Sequence, residues 1–139
     1  MVVIDHSASM RLSHKLAFVQ ATIEYLISKL TEAHRFCLIK FNQEVSMVTN
    51  GLLPMTPENK QKTRSLLHDI KPQGTTNISD ALFTALGVLS NRPDKNRIST
   101  IMLFTDGLSN AGLRGKTFMD TLKVSLFSYF RYLIYILGS

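Results

Sequence analysis

Val2-Val3-Ile4-Asp5-His6-Ser7-Ala8-Ser9, almost the first residues of the chain, set three apolar side chains directly before a carboxylate and two hydroxyls. An unbroken apolar run that ends in polar residues suits a buried strand whose functional groups emerge at its carboxyl end. Beyond it, Leu12, Leu16, Val19, Ile23, Leu26 and Leu30 recur at helical spacing, which predicts an amphipathic helix from Arg11 to Leu30. A strand that feeds a helix through a polar corner is the repeating unit of an α/β sheet.

Working outward, Arg35 to Phe41 reads as a second strand and Glu44 to Thr49 as a third, joined at Asn42 and Gln43. So short a link demands an antiparallel hairpin, because a parallel return needs a crossover of roughly a dozen residues. Thr56-Pro57-Glu58 supplies a cap, a first-turn proline and a first-turn acid for a helix to about Ile70, with Leu66, Leu67 and Ile70 inward. After the turn at Pro72-Gln73-Gly74, the residues Ile78, Ala81, Leu82, Ala85, Leu86 and Leu89 again keep helical spacing. Ile98 to Phe104 is another apolar strand, and it runs into Thr105-Asp106-Gly107. A helix and a last short strand at Leu133 to Leu137 complete the order. The expected fold class is α/β: a doubly wound, mostly parallel central sheet with one antiparallel edge strand and helices on both faces. In such sheets ligands bind beyond the carboxyl ends of the strands, where Asp5 and Asp106 both fall.

The chain has 139 residues, enough for one core, and its hydrophobic and charged fractions of 45% and 19% describe a folded domain. The formal charge of +6 invites a nucleic-acid partner. The basic residues are nevertheless scattered and not interleaved with aromatics, so no nucleic acid is expected. Cys37 is the single cysteine, which excludes an internal disulfide. No leader-like segment opens this sequence and no apolar run approaches the ~20 residues of a membrane span. The compartment stays open, with an intracellular setting favoured.

The chemistry lies in oxygen donors. Asp5, Ser7 and Ser9 stand on alternate residues as a strand turns into a helix, so their oxygens can converge on one point. A hard cation such as Mg²⁺ takes oxygen ligands in octahedral geometry and retains waters, which suits hydroxyls and water-bridged carboxylates. Thr76 and Asp106, each at the end of a separate segment, can complete the ring.

Together, Asp5-x-Ser7-x-Ser9, the threonine of Gly74-Thr75-Thr76-Asn77-Ile78, and Thr105-Asp106-Gly107 after an apolar strand resemble the metal-ion-dependent adhesion site of von Willebrand factor type A domains. The resemblance extends to about Asn110. It is nearest to the domains of inter-alpha-trypsin inhibitor heavy chains and of RING-containing proteins, which share a similar Gly-Thr-Asn-Ile segment and a Phe-Asn link like Phe41-Asn42. It implies that Ser7 and Ser9 coordinate Mg²⁺ or Mn²⁺ directly, Thr76 directly or through water, and Asp5 and Asp106 mainly through water. It also implies an open metal position for a glutamate or aspartate of a protein partner, hence a binding module and not an enzyme.

Three features depart from the family pattern. Ala8 replaces a glycine, which matters only if that position needs a positive φ. Thr75 stands where many relatives have glycine. After Lys116 the sequence turns aromatic and ends at Ser139, where the family continues with a helix, a strand and a terminal helix. Residues 1–139 are therefore expected to form one domain lacking those last elements, with self-association through an exposed aromatic segment containing Phe127, Tyr129, Phe130, Tyr132 and Tyr135.

Plainer readings stand beside these. Ser7, Ser9, Thr76 and Asn77 can serve as helix caps, and Asp106-Gly107 as an ordinary turn, leaving a metal-free scaffold. The four histidines lack paired spacing and read as surface or loop residues, and Cys37 reads as a buried apolar group. A haloacid-dehalogenase-type phosphotransferase also places an aspartate after its first strand, but it wants a second carboxylate where Ser7 stands. No Gly-x-Ser-x-Gly elbow supports a serine hydrolase.

Overall fold

The computed structural model describes residues 1–93, 98–107, 112, 116, 117, 120 and 132–137. Along the chain run β1 (Val2–Asp5), a 3₁₀ stretch (Ala8–His14), α1 (Lys15–Lys29), β2 (Arg35–Phe36), β3 (Leu38–Phe41) and β4 (Val45–Met47). There follow β5 (Leu53–Pro54), α2 (Pro57–His68), α3 (Ile78–Ser90), β6 (Ser99–Phe104) and β7 (Tyr132–Leu137). The main sheet has the order β4-β3-β1-β6-β7. Neighbours are parallel except the β3–β4 hairpin at the edge. This is the expected mostly parallel α/β sheet.

The period-2 alternation of the strands divides the core between the two faces of the sheet. Val2, Ile4, Leu38 and Phe104 pack with Leu16, Ile23 and Ile27 of α1 and Leu67 of α2. Val3, Ile39, Phe41, Ile101 and Leu103 pack with Ala81, Leu82, Ala85, Leu86 and Leu89 of α3 on the other side. With helices on both faces, β1 is buried at all four residues and sits mid-sheet, so its carboxyl end opens between the ends of β3 and β6.

Two boundaries and one inward face differ from the expected ones. The helix begins at Lys15 and not at Arg11, because Leu12 is extended (ψ 138) and Ser13 and His14 turn left-handed with φ of 50 and 56. Leu12 is accordingly 66% exposed and does not join the helix's apolar face. The run from Arg35 to Phe41 is broken at Cys37. Its first part pairs antiparallel with Leu53–Pro54, whereas Leu38 pairs with Val2 and gives its N–H to Thr49 Oγ1 at 3.0 Å. In α2, Leu67 is buried and Leu66 only half-buried, with Thr63 taking the inward place. Residues 121–131, including Phe127, Tyr129 and Phe130, lie outside the described residues, as do the side chains of Tyr132 and Tyr135 in β7.

Candidate functional site

Asp5 closes β1 with its side chain fully buried and both carboxylate oxygens engaged. Oδ1 accepts the Ser7 N–H at 2.7 Å and Oδ2 accepts the Thr105 hydroxyl at 2.6 Å. A buried carboxylate must be held by donors, and here they come from the corner after β1 and the corner after β6. The two strand ends are thereby fastened together.

From Ser7 an oxygen chain leads outward. Ser7 Oγ lies 3.0 Å from Ser9 Oγ, and Ser9 donates to Asp106 Oδ1 at 2.8 Å. Ser7 is buried and Ser9 exposed, so the chain runs from the core to solvent. Ser7 stands in the capping position of the 3₁₀ stretch, yet its side chain makes no capping hydrogen bond. By contrast Asn77 Oδ1 accepts the Asp80 N–H at 3.3 Å and Thr56 Oγ1 the Asn59 N–H at 3.2 Å, as caps do. The capping reading therefore describes Asn77 and not Ser7.

Thr76 is buried in the loop before α3, and Thr75 beside it is exposed. That loop is laid against the β1 corner by backbone bonds from Gln73 N–H to His6 O (2.7 Å) and from Ala8 N–H to Gly74 O (2.9 Å). Asn42 holds its other side, accepting the Asn77 N–H on its carbonyl at 2.9 Å and donating Nδ2 to Gln73 O at 3.1 Å. Asp5, Ser7, Ser9 and Asp106 are thus joined by hydrogen bonds, and Thr76 belongs to the loop bonded to the same corner. Ala8 has no positive φ, so the missing glycine costs the corner nothing in conformation.

Four contributors are not among the expected site residues, although Thr105 and Asn42 stand in motifs the sequence displays. Lys15 Nζ donates to Asp106 Oδ2 at 2.8 Å, a pair in which the carboxylate side chain is 6% and the lysine side chain 33% exposed. Burial pushes the Asp106 carboxyl up, but the Lys15 ammonium and the Ser9 hydroxyl together outweigh it and hold the group below its ordinary value. Thr105 and Asn42 act through partners 100 and 31 residues away. His6, expected as a surface or loop residue, lies in the loop after β1 but is only 4% exposed, because its Nδ1–H reaches the Lys71 carbonyl at 3.0 Å and so satisfies the ring inside the fold. That burial lowers its pKa, with Lys40 adding to the effect and the Lys71 carbonyl and Asp5 opposing it.

Among the described residues no three His, Cys, Asp or Glu side chains stand together. What stands together is two carboxylates and serine hydroxyls, with a threonine in the adjoining loop. No described helix is long and apolar enough to cross a membrane.

Comparison with known proteins agrees with this fold. A sequence profile of the von Willebrand factor type A domain matches residues 1–109. Human inter-alpha-trypsin inhibitor heavy chain H3 is 30% identical over 115 residues, which cover 79% of this chain and 13% of that protein. Human heavy chain H4 is 32% identical over 115 residues, covering 79% and 12%. The chain therefore spans about an eighth of the length of these relatives. Among solved structures, a von Willebrand factor type A protein from Catenulispora acidiphila superposes with a TM-score of 0.85 at 18% identity, over 99% of this chain and 32% of that one. The fold, the profile and the heavy-chain relatives agree, and the chain belongs to the von Willebrand factor type A domain family, whose members are typically protein-interaction modules.

Proposed function

We propose that this domain is a cation-dependent protein-binding module in which Asp5, Ser7, Ser9, Thr76 and Asp106 hold one Mg²⁺ or Mn²⁺ and a partner protein adds a glutamate or aspartate. The carrying observation is the oxygen chain from Ser7 through Ser9 to Asp106, whose hydroxyls are not spent on capping. Octahedral ligands about 2.0–2.1 Å from Mg²⁺ are separated along an edge by roughly 2.9 Å. The Ser7–Ser9 and Ser9–Asp106 separations of 3.0 and 2.8 Å match that edge. The donor set is all oxygen, as a hard cation prefers.

When bound, the cation would supply a Lewis-acidic centre for the incoming carboxylate. The chain's own residues do the rest. Ser7 and Ser9 would offer their hydroxyl oxygens, 3.0 Å apart, to the cation. Asp5, anchored by Thr105 and the Ser7 N–H, fixes the corner that presents them. Asp106 orients Ser9. No residue here is assigned a covalent or proton-transfer role, and the reading is of a binding domain without catalysis. A metal-free scaffold is the second reading, favoured by the way Lys15 already satisfies Asp106.

Calorimetric titration with Mg²⁺ and Mn²⁺ decides between them. The expected result is one site per chain, lost in Ser7→Ala, together with a protein partner that is captured in Mg²⁺ and released by chelator. A chain that takes up neither ion leaves the scaffold reading in its place.

A further inference from the structure

Lys15 is the first residue of α1, and no acidic residue accompanies it in the first turn. A cation at that end opposes the helix dipole, so helix stability alone does not call for a lysine there. Its ammonium instead lies 2.8 Å from Asp106 Oδ2, while Oδ1 of the same carboxylate faces Ser9. Lys15 thus engages the carboxylate oxygen that Ser9 does not use. The left-handed pair Ser13 and His14 starts the helix at this residue.

Formal charge gives this placement a consequence. Asp5 and Asp106 bring two negative charges and Lys15 one positive charge, leaving the site with a single negative charge. A divalent cation reverses this to a single positive charge, which one carboxylate balances. Without Lys15, the same two aspartates would neutralise the cation fully, and little charge would remain to attract an acidic ligand. Arg11, whose guanidinium donates to the Pro72 carbonyl at 3.3 Å, is exposed, and solvent screens its charge.

We propose that Lys15 sets the residual charge of the site, weakening its hold on the divalent cation and strengthening the loaded site's hold on a carboxylate. This inference rests on the cation-dependent reading above. Lys15 is a positioning and charge-setting residue and touches neither cation nor ligand.

The test compares the 139-residue chain with Lys15→Met and Lys15→Arg. Mn²⁺ affinity is measured by calorimetry, and acetate binding to the Mn²⁺-loaded proteins by the loss of water-proton relaxation as metal-bound water is displaced. Lys15→Met is expected to bind Mn²⁺ on the order of tenfold more tightly, since a like charge a few ångströms away in a largely solvated setting is worth about that factor. It is expected to bind acetate several-fold more weakly, and Lys15→Arg is expected to restore both values. If the Met variant binds Mn²⁺ equally or less tightly than the wild type, Lys15 only steadies Asp106 and the proposal is overturned, while the cation-dependent reading stands. If wild type and Lys15→Met both take up no Mn²⁺, the underlying reading falls and this inference with it. Matched thermal melts establish that each variant is folded, as the partly exposed side chain leads one to expect.

Discussion

At the scale of single residues, Gly74 bears on how the loop before α3 meets the β1 corner. Its φ is +78, and a Cβ placed there would run into the side-chain oxygen of Gln43, which accepts the Thr75 N–H. Gly74→Ala therefore carries left-handed backbone strain and disturbs that bond. A loss of about 1–3 kcal/mol in urea unfolding is expected. His6 gives a second prediction, whose sign follows from burial. Its native pKa lies below the ordinary 6.5, so as pH falls through that value the unfolded chain takes up a proton that the native ring resists. Stability should decline from about pH 7.5 to about pH 5.5, and His6→Gln should flatten this part of the profile; an unchanged slope in the variant would assign it to other groups. The site itself was legible only in part at this scale. Asp5, Ser7, Ser9 and Asp106 announce themselves by standing at strand ends in a recurring pattern. Lys15 does not, because its partner lies 91 residues away and a lone lysine has no periodicity to betray it, and the Thr105-Asp106-Gly107 run does not disclose that Thr105 bonds Asp5, 100 residues away.

At the scale of elements, local chemistry settles some boundaries and tertiary pairing settles others. Helix α2 is an example of the first kind: Thr56 caps it through Asn59 N–H, Pro57 occupies its first turn, and Glu58 faces its positive end. Thr56→Ala should cost about 1 kcal/mol, measured by chemical denaturation. Ser7→Ala, which removes no capping bond, should not reproduce a loss of that origin. The strands β1 and β6 were equally legible, since unbroken apolar runs ending in aspartate need no knowledge of their neighbours. The break at Cys37 was not. The residues from Arg35 to Phe41 are uniformly suited to a strand, and only the competing partners, Leu53 for Phe36 and Val2 for Leu38, divide them. Likewise the apolar spacing from Leu12 onward continues the helix pattern, but the turn at Ser13 and His14 obeys the geometry of the corner and leaves Leu12 outside.

At the scale of the molecule, the site exists only because the fold closes. Asp5 and Asp106 are about a hundred residues apart in sequence and meet because β1 and β6 are parallel neighbours ending on the same side of the sheet. The Thr76 loop joins them through backbone bonds to the β1 corner. An unfolded chain holds no such constellation, so a cation that binds here binds the native state alone. Linkage then fixes the sign: the melting temperature should rise with Mg²⁺ or Mn²⁺, corresponding to about 2.7 kcal/mol when free metal is a hundredfold above Kd. Site variants separate this response from ordinary stability. Asp5→Ala leaves the buried Ser7 N–H and Thr105 hydroxyl without their acceptor, so the metal-free protein should weaken by about 2 kcal/mol or more and lose the metal response as well. Ser9→Ala removes an exposed hydroxyl and should change the metal-free melt by no more than about 1 kcal/mol, while abolishing the metal-dependent rise. Were Ser9 merely structural, its variant would shift equally in chelator and in millimolar cation. Melts of wild type, Asp5→Ala and Ser9→Ala under both conditions therefore read the site through the stability of the whole sheet, and a wild-type curve that ignores the cation would count against the metal assignment at every one of its residues.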